Sequence, residues 1–407
     1  MTLRVCTMFS GYDSQCMALD RLKEKYPQFD YELVAWAEID KFAIAAHNAV
    51  YPQWSDRNYG DVSKIDWDHV PDFDLLTYSS PCQDFSNAGK QAGGAEGSGT
   101  RSSLLWQVRR AILAKKPKFL LMENVAALVS QKFIGTFNQW QLELQRYGYT
   151  NFSQVLTAKD YGVPQNRERI FMVSVLNCDQ AFYFPEPMPL TKRLKDVLEE
   201  HVDERYYLKE DALQGFKMHD KQGDGAIQLV GELQADNRWG NSIRQQNFVI
   251  GALRGRNPEN PSERGRSNGQ YKQRLELNEN HTSNTITSVQ KDNVVVEQVV
   301  LGWTRDSRGK IVDRHPVEVA NCVTSAKRDN TQNYVVEAKY RIRKLTEREC
   351  MRLMGVRDED SDKIRAAVSK SQCYKLAGNS IVVDVMVGIF EQLLIGNKNT
   401  NQQLEIF

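Results

Sequence analysis

The run Leu3–Arg4–Val5–Cys6–Thr7–Met8–Phe9–Ser10–Gly11, followed by the helical pattern of Ser14–Tyr26, decides the fold class. An apolar run that breaks at Ser-Gly and enters a helix, with Met17, Leu19 and Leu22 among its apolar positions, opens a strand–helix unit. The pattern then repeats. Strand-like Tyr31–Ala37 ends at Glu38–Ile39–Asp40, a helix covers about Lys41–Val50, and apolar strands follow at Phe73–Tyr78 and Lys118–Met122. Alternation of this kind predicts an α/β fold, a parallel sheet with helices on both faces. Ligands of such sheets lie beyond the carboxyl ends of the strands, so the residues just after each strand are the candidates for chemistry. Phe152–Ala158 and Arg169–Leu176 flank Tyr161–Gly162–Val163–Pro164 and read as an antiparallel hairpin closing the sheet.

A chain of 407 residues can bury one large core and a smaller satellite domain. Lys+Arg 53 against Asp+Glu 52 leaves a net charge of +1, which excludes a polybasic protein and leaves any nucleic-acid surface to local clustering. The seven cysteines (6, 16, 82, 178, 322, 350 and 373) never fall in a Cys-x-x-Cys spacing. That pattern argues for reduced thiols in a cytoplasmic protein and against a zinc site, so no metal is expected. No stretch reads as long enough to span a bilayer, and no membrane partner is expected.

After Phe184 the character changes. Pro185, Pro187 and Pro189 mark a boundary, and helix–strand alternation stops beyond it. Asn284–Ser288 leading to Asp292–Glu297 resembles Asn321–Ser325 leading to Asn333–Glu337, a weak repeat ending in β-branched runs. These features predict a small, mostly β domain of hairpin-like units. Within it, Arg254, Arg256, Arg264 and Arg266 lie in a stretch rich in Arg, Gly, Ser and Asn. Such a loop can track phosphates and meet guanine edges, and a solvated loop has the same composition.

Three segments carry chemistry. Tyr78–Ser79–Ser80–Pro81–Cys82–Gln83–Asp84–Phe85–Ser86 puts a cysteine directly after an apolar strand, although a lone cysteine is often only a small buried hydrophobe. Phe119–Leu120–Leu121–Met122 runs into Glu123–Asn124–Val125 and ends a central strand on a carboxylate, which a solvated helix start would also accept. Gln165–Asn166–Arg167–Glu168–Arg169 offers two arginines two residues apart, which strand alternation places on one face; ion pairing with Glu168 is the plain alternative.

Taken together, Pro-Cys-Gln, Glu-Asn-Val and Gln-x-Arg-x-Arg in this order resemble the cytosine-5 DNA methyltransferases of bacterial and phage restriction-modification type. The resemblance continues in Phe9–Ser10–Gly11, Glu38, Gly60–Asp61–Val62, Leu104–Leu105–Trp106, Arg343–Thr346 through Glu349 to Leu353–Gly355, and Gly378–Asn379–Ser380. It implies a Rossmann-like S-adenosylmethionine-dependent methyltransferase sheet with a smaller, mostly β target-recognition domain. The expected division is a catalytic domain over 1–184, target recognition over 185–340, a return segment of the small domain over 341–373, and a C-terminal helix over 374–407 completing the catalytic domain. One departure stands out: the family's first loop reads Phe-x-Gly-x-Gly-Gly, and here Asp13 and Ser14 occupy the later glycine positions.

What the resemblance implies is methyl transfer from S-adenosylmethionine to position 5 of a cytosine flipped out of a specific duplex DNA sequence. Cys82 would add to carbon 6 of the ring, Glu123 would protonate or hydrogen-bond ring nitrogen 3, and Arg167 and Arg169 would favour the thiolate. Cofactor contacts are implied for Phe9, Ser10, Gly11, Glu38, Ile39, Asp61, Val62, Pro81, Trp106, Asn379 and Ser380. Phe9 and Trp106 would pack on adenine or simply complete the core. Gln83 and Ser86 would touch DNA along with the four arginines, and the glycines from Gly89 to Gly99 would hinge a loop over the base. A monomer is expected, with any companion restriction endonuclease acting separately. An RNA cytosine-5 methyltransferase and a catalytically inactive DNA-binding homologue are the competing readings.

Overall fold

The structure, a computed structural model, describes residues 2–81, 104–178, 180–208, 218–219, 249–256, 272–278, 282–287, 293–305, 311–316 and 337–396. They form two compact units. The first comprises Met1–Arg193, Thr285–Val289 and Glu347–Phe407, and the second Leu194–Asn284 and Gln290–Thr346. The crossings lie at Arg193/Leu194 and Thr346/Glu347, whereas the sequence reading put them at 184/185 and 373/374. Residues 347–373, read as a return segment of the small domain, group with the first unit.

In the first unit, β1 (Leu3–Met8), β2 (Tyr31–Ala37), β3 (Leu75–Tyr78) and β4 (Phe119–Val125) are parallel. Next come β5 (Tyr149–Thr157), a two-residue β6 (Gln165–Asn166) and β7 (Glu168–Leu176). The six-stranded order is β2-β1-β3-β4-β7-β5, with β7 antiparallel to both β4 and β5. The hairpin expected from the sequence is therefore present, and its second strand lies inside the sheet. Because β1 has β2 on one side and β3 on the other, the winding reverses between them. That reversal opens a crevice at the carboxyl ends of β1 and β3.

Helices α1 (Ser14–Lys25), α2 (Lys41–Val50), α3 (Leu105–Lys115) and α4 (Ile134–Arg146) belong to this unit. Four more come from the far end of the chain: α5 (Glu347–Arg352), α6 (Asp358–Ala367), α7 (Lys370–Asn379) and α8 (Val383–Phe390). Val5, Cys6, Thr7 and Met8 are all buried, so β1 is covered on both faces and shows no alternation. One face packs Met8, Leu120 and Met122 against Trp106, Phe137 and Trp140 of α3 and α4. Each such apolar side chain contributes roughly 1.5–3 kcal/mol by leaving water. Tyr78 reaches into this layer, where its hydroxyl accepts from Trp140 Nε1 at 3.0 Å. Elsewhere in the unit α8 packs on α1, and Arg21 joins them through an ion pair with Asp384 at 2.8 Å.

Lys370–Ile395 is, by length and mean hydropathy (1.5), apolar enough to cross a membrane, which the sequence reading did not anticipate. It is interrupted between α7 and α8, and Val383, Met386, Ile389 and Phe390 are buried in the first unit. Its apolarity is that of a core helix.

The second unit contains β8 (Met218–His219), β9 (Val249–Arg256), β10 (Lys272–Asn278), β11 (Ser283–Asn284), β12 (Val294–Arg305), β13 (Ile311–Pro316) and β14 (Glu337–Lys344). Its sheet runs β13-β12-β9-β10-β8, with β14 also on β12. Arg254 and Arg256, read as loop residues, lie in β9, in register with Arg274 and Lys272 of β10. Ladder pairing between the two runs overrides their loop-like composition. Arg264 and Arg266 lie outside the described residues, as does most of the second half of the proposed repeat.

Gly355 sits at φ 76°, where an added Cβ would run into the Asp384 carboxylate and lie 3.3 Å from Val383 Cβ. Gly355→Ala should therefore destabilise the protein by roughly 1–3 kcal/mol. Thermal unfolding measures this, and an unchanged midpoint would mean that the turn relaxes freely.

Candidate active site

The carboxyl end of β1 turns sharply. Phe9, Gly11 and Asp13 all hold positive φ (58°, 61° and 67°). Phe9 N and Ser10 N both donate to Ala37 O, at 2.9 and 3.4 Å, which pins the turn to the end of β2. Gly11 N then donates to Glu38 Oε2 at 3.1 Å, while Glu38 Oε1 accepts from Ile39 N and Asp40 N at 2.8 and 2.9 Å. The Glu38 carboxylate is thus oriented from two sides. Asn58 braces it further, since its Oδ1 accepts from Glu38 N and Gly60 N at 3.2 and 2.9 Å.

Around this carboxylate the lining suits a nucleoside. A Cβ built on Gly11 would meet nothing within 4 Å, so the space before the turn is open. Ile39 is 70% exposed, an apolar side chain beside a hydrogen-bonding one. Among the described residues Ser10 Oγ is buried with no hydrogen-bond partner, which suits it to meet a polar ligand atom. Asp61 Oδ1 closes its own turn by accepting from Ser63 N and Oγ at 2.9 and 2.8 Å. Those bonds hold its carboxyl below the usual carboxylate range. Val62 is buried in the core, as is Trp106, which meets Trp140 edge-on at 5.5 Å. Of the two readings of Trp106, this geometry supports the core one; Phe9 also packs partly against that cluster.

The second half of the site forms where β3 stops. Pairing of β3 with β4 ends at Tyr78 opposite Met122, so Glu123 and Asn124 run on beside the chain leaving β3. Asn124 Nδ2 donates to Ser80 O at 3.1 Å and lies 3.3 Å from Ser80 Oγ, which anchors the stem of the exit loop. Pro81 is half-buried, and Cys82, Gln83, Ser86 and the glycines to Gly99 lie outside the described residues. Glu123 is 7% exposed, and its Oε1 is 3.1 Å from Arg169 Nε. Burial pushes the Glu123 carboxyl above its usual range, and the charges of Arg169 and Arg167 offset part of that rise.

Arg167 and Arg169 part company. Residue 167 falls in the gap between β6 and β7, where strand alternation does not apply. Its buried guanidinium donates to Ile286 O at 3.1 Å, Gly378 O at 3.2 Å and Ser380 O. Gln165, wholly buried, donates to Leu353 O at 2.5 Å and accepts from Ile286 N at 2.9 Å. Ser380 Oγ reaches Ser14 Oγ at 3.1 Å, and Asn379 is exposed beside it. Sequence reading missed the bracing by Asn58 and Gln165. Gln165 acts on backbone groups 188 and 121 positions away, so no local pattern signals it; Asn58 closes a local turn onto Gly60 N, a signal the sequence does carry, but its bond to Glu38 N is not local.

A family model described as C-5 cytosine-specific DNA methylase matches residues 3–394. The type II methyltransferase M2.ScrFI of Lactococcus lactis subsp. cremoris is 34% identical over 337 residues, covering 83% of this chain and 71% of that protein. The orphan methyltransferase M.SPRI of Bacillus phage SPR is 33% identical over 438 residues, covering 96% and 97%. Among solved structures, S. pombe Dnmt2 methyltransferase has a TM-score of 0.57 at 17% identity, covering 97% of this chain and 98% of that one. This last likeness concerns the fold.

Removing the guanidinium beside Glu123 takes away an influence that lowers its pKa. In Arg169→Gln the Glu123 carboxyl should therefore hold its proton to a higher pH than in the native protein. Carboxyl carbon-13 NMR would follow the titration, and a midpoint that stayed put or fell would contradict the pairing.

Proposed function

Because the chain belongs to the C-5 cytosine-specific DNA methylases, we propose that it methylates carbon 5 of a cytosine turned out of duplex DNA, with Cys82 as nucleophile and S-adenosylmethionine as donor. The observation that carries this reading is the buried Glu123 carboxyl, held by Arg169 beside the anchored stem of the Pro81–Cys82 loop. The family's description names DNA, which favours it over RNA.

Carbon 5 of cytosine is a poor nucleophile until a thiolate adds to carbon 6. A free thiol has a pKa of about 8.5, so only a few per cent is ionised near neutrality, and the arginines near Glu123 favour the anion. As the Cys82 sulfur bonds to carbon 6, electrons move toward ring nitrogen 3, where Glu123 delivers a proton. Its raised pKa suits it to hold that proton, and Arg169 takes up the charge left behind. Bound S-adenosylmethionine supplies an electrophilic methyl group on a sulfonium. Carbon 5 would take that methyl group, Glu123 would recover the proton from ring nitrogen 3, and loss of the carbon 5 proton to water would then expel the Cys82 thiolate and restore the aromatic ring.

On the cofactor side, Glu38 is suited to the ribose hydroxyls, Ile39 and Phe9 to the adenine faces, and Asp61 to the adenine amino group. Ser10, Gly11, Asn379 and Ser380 would frame the methionine end, with Val62, Pro81 and Trp106 backing the pocket. The cytosine must leave the duplex for this chemistry, at a cost of a few kcal/mol. In this reading the second unit recognises the target sequence, with Arg254, Arg256, Arg264 and Arg266 against DNA. The type II name of one relative supports a restriction-modification setting, with a monomer acting in the cytoplasm.

Cys82→Ser should abolish transfer of labelled methyl groups while leaving DNA affinity largely intact, and native-like activity would remove Cys82 from the mechanism. DNA carrying 5-fluorocytosine at a confirmed site should form a stable conjugate through residue 82. Glu123→Gln should slow the chemical step roughly 100- to 10,000-fold; a change in cofactor affinity alone would show that Glu123 has another role.

A further inference from the structure

Asp13 stands where the family's first loop has a glycine, and its surroundings explain how a side chain is tolerated there. The backbone is left-handed (φ 67°, ψ 55°), a region costly for most L-residues but accessible to Asp. The carboxylate is wholly buried, and three elements converge on it. Thr7 Oγ1 of β1 donates to Oδ2 at 2.8 Å, Cys16 N of α1 donates to Oδ1 at 3.3 Å, and His47 Nε2 of α2 lies 3.5 Å from Oδ2. His47 is itself buried, stacked on Trp36 with ring centroids 3.8 Å apart. A glycine would meet the φ requirement and leave the buried Thr7 hydroxyl and the Cys16 N–H without this acceptor.

Asp13 also closes the turn that faces the nucleoside space. Its N–H donates to Ser10 O at 2.9 Å, and Gly11, which has open space before it, gives its N–H to Glu38. We propose that Asp13 is a positioning residue for the cofactor loop. By joining β1, α1 and α2 through one carboxylate, it holds the Ser10–Gly11 turn, and through Gly11 the Glu38 carboxylate, in the geometry that receives the cofactor ribose. The proposal rests on the cofactor reading above. Asp13 works from behind the loop, without touching the ligand.

The test uses the full chain, with S-adenosylmethionine and S-adenosylhomocysteine binding followed by calorimetry beside turnover, DNA affinity and thermal unfolding. Asp13→Gly frees the backbone but removes the anchor. Asp13→Asn keeps one acceptor oxygen, for Cys16 N, and the tolerance for left-handed φ, and its amide can donate to the Thr7 hydroxyl oxygen. Asp13→Gly should bind both ligands roughly 10- to 100-fold more weakly, the usual effect of losing bonds to a charged acceptor. The KM for the cofactor should rise in parallel, with kcat at saturation and DNA affinity close to native, and Asp13→Asn should recover part of the loss. Native-like binding in Asp13→Gly overturns the proposal, because backbone freedom would then suffice. A parallel loss of DNA affinity, or no recovery in Asp13→Asn, also overturns it. If the native protein binds neither ligand, the cofactor reading itself fails; that outcome is distinct from native protein and Asp13→Gly binding equally well.

Discussion

A parallel sheet must be covered on both faces, and a chain can cover both only by reversing its winding. Here the reversal falls between β1 and β3. At such a reversal the exit loops of neighbouring strands generally part and leave a crevice. The Phe9–Asp13 turn follows one of these strands and the Ser80–Pro81 stem the other.

Burial then dictates how polar groups behave at the edge. A charge taken from water needs a partner, and Glu123, Asp13 and Arg167 each find polar partners outside their own element. Glu123 meets Arg169 across the β4–β7 pair, and Asp13 meets Thr7 and His47. Arg167 spends its guanidinium on the backbone carbonyls of Ile286, Gly378 and Ser380. The positive charges of Arg169 and Arg167 both oppose the desolvation that favours the proton on Glu123, and Arg169 does so at hydrogen-bonding range.

The C-terminal helices complete this arrangement. Gly378 and Ser380 supply acceptors to Arg167, and α8, within the apolar stretch Lys370–Ile395, packs on α1. Both ends of the chain therefore build one domain. The insertion between them contributes Thr285–Val289 to the same unit, and Ile286 is clamped there by Gln165 and Arg167.

Much of this was legible in the sequence. The limits of β2 and α2 agree with their apolar patterns, because periodicity is a property of ten neighbouring residues and is present before folding. The order of short motifs named the family for a similar reason: chemistry at strand ends constrains residue type locally. Other features depended on contacts the chain makes only when folded. Asn124 reaches Ser80 across 44 positions, Gln165 reaches Leu353 across 188, and Arg167 reaches Gly378 across 211. No local pattern encodes such partners. The separate fates of two arginines two residues apart, the strand through Arg254 and Arg256, and the anchoring of Asp13 were decided by tertiary packing, which alone determines which polar groups lose water and what replaces it.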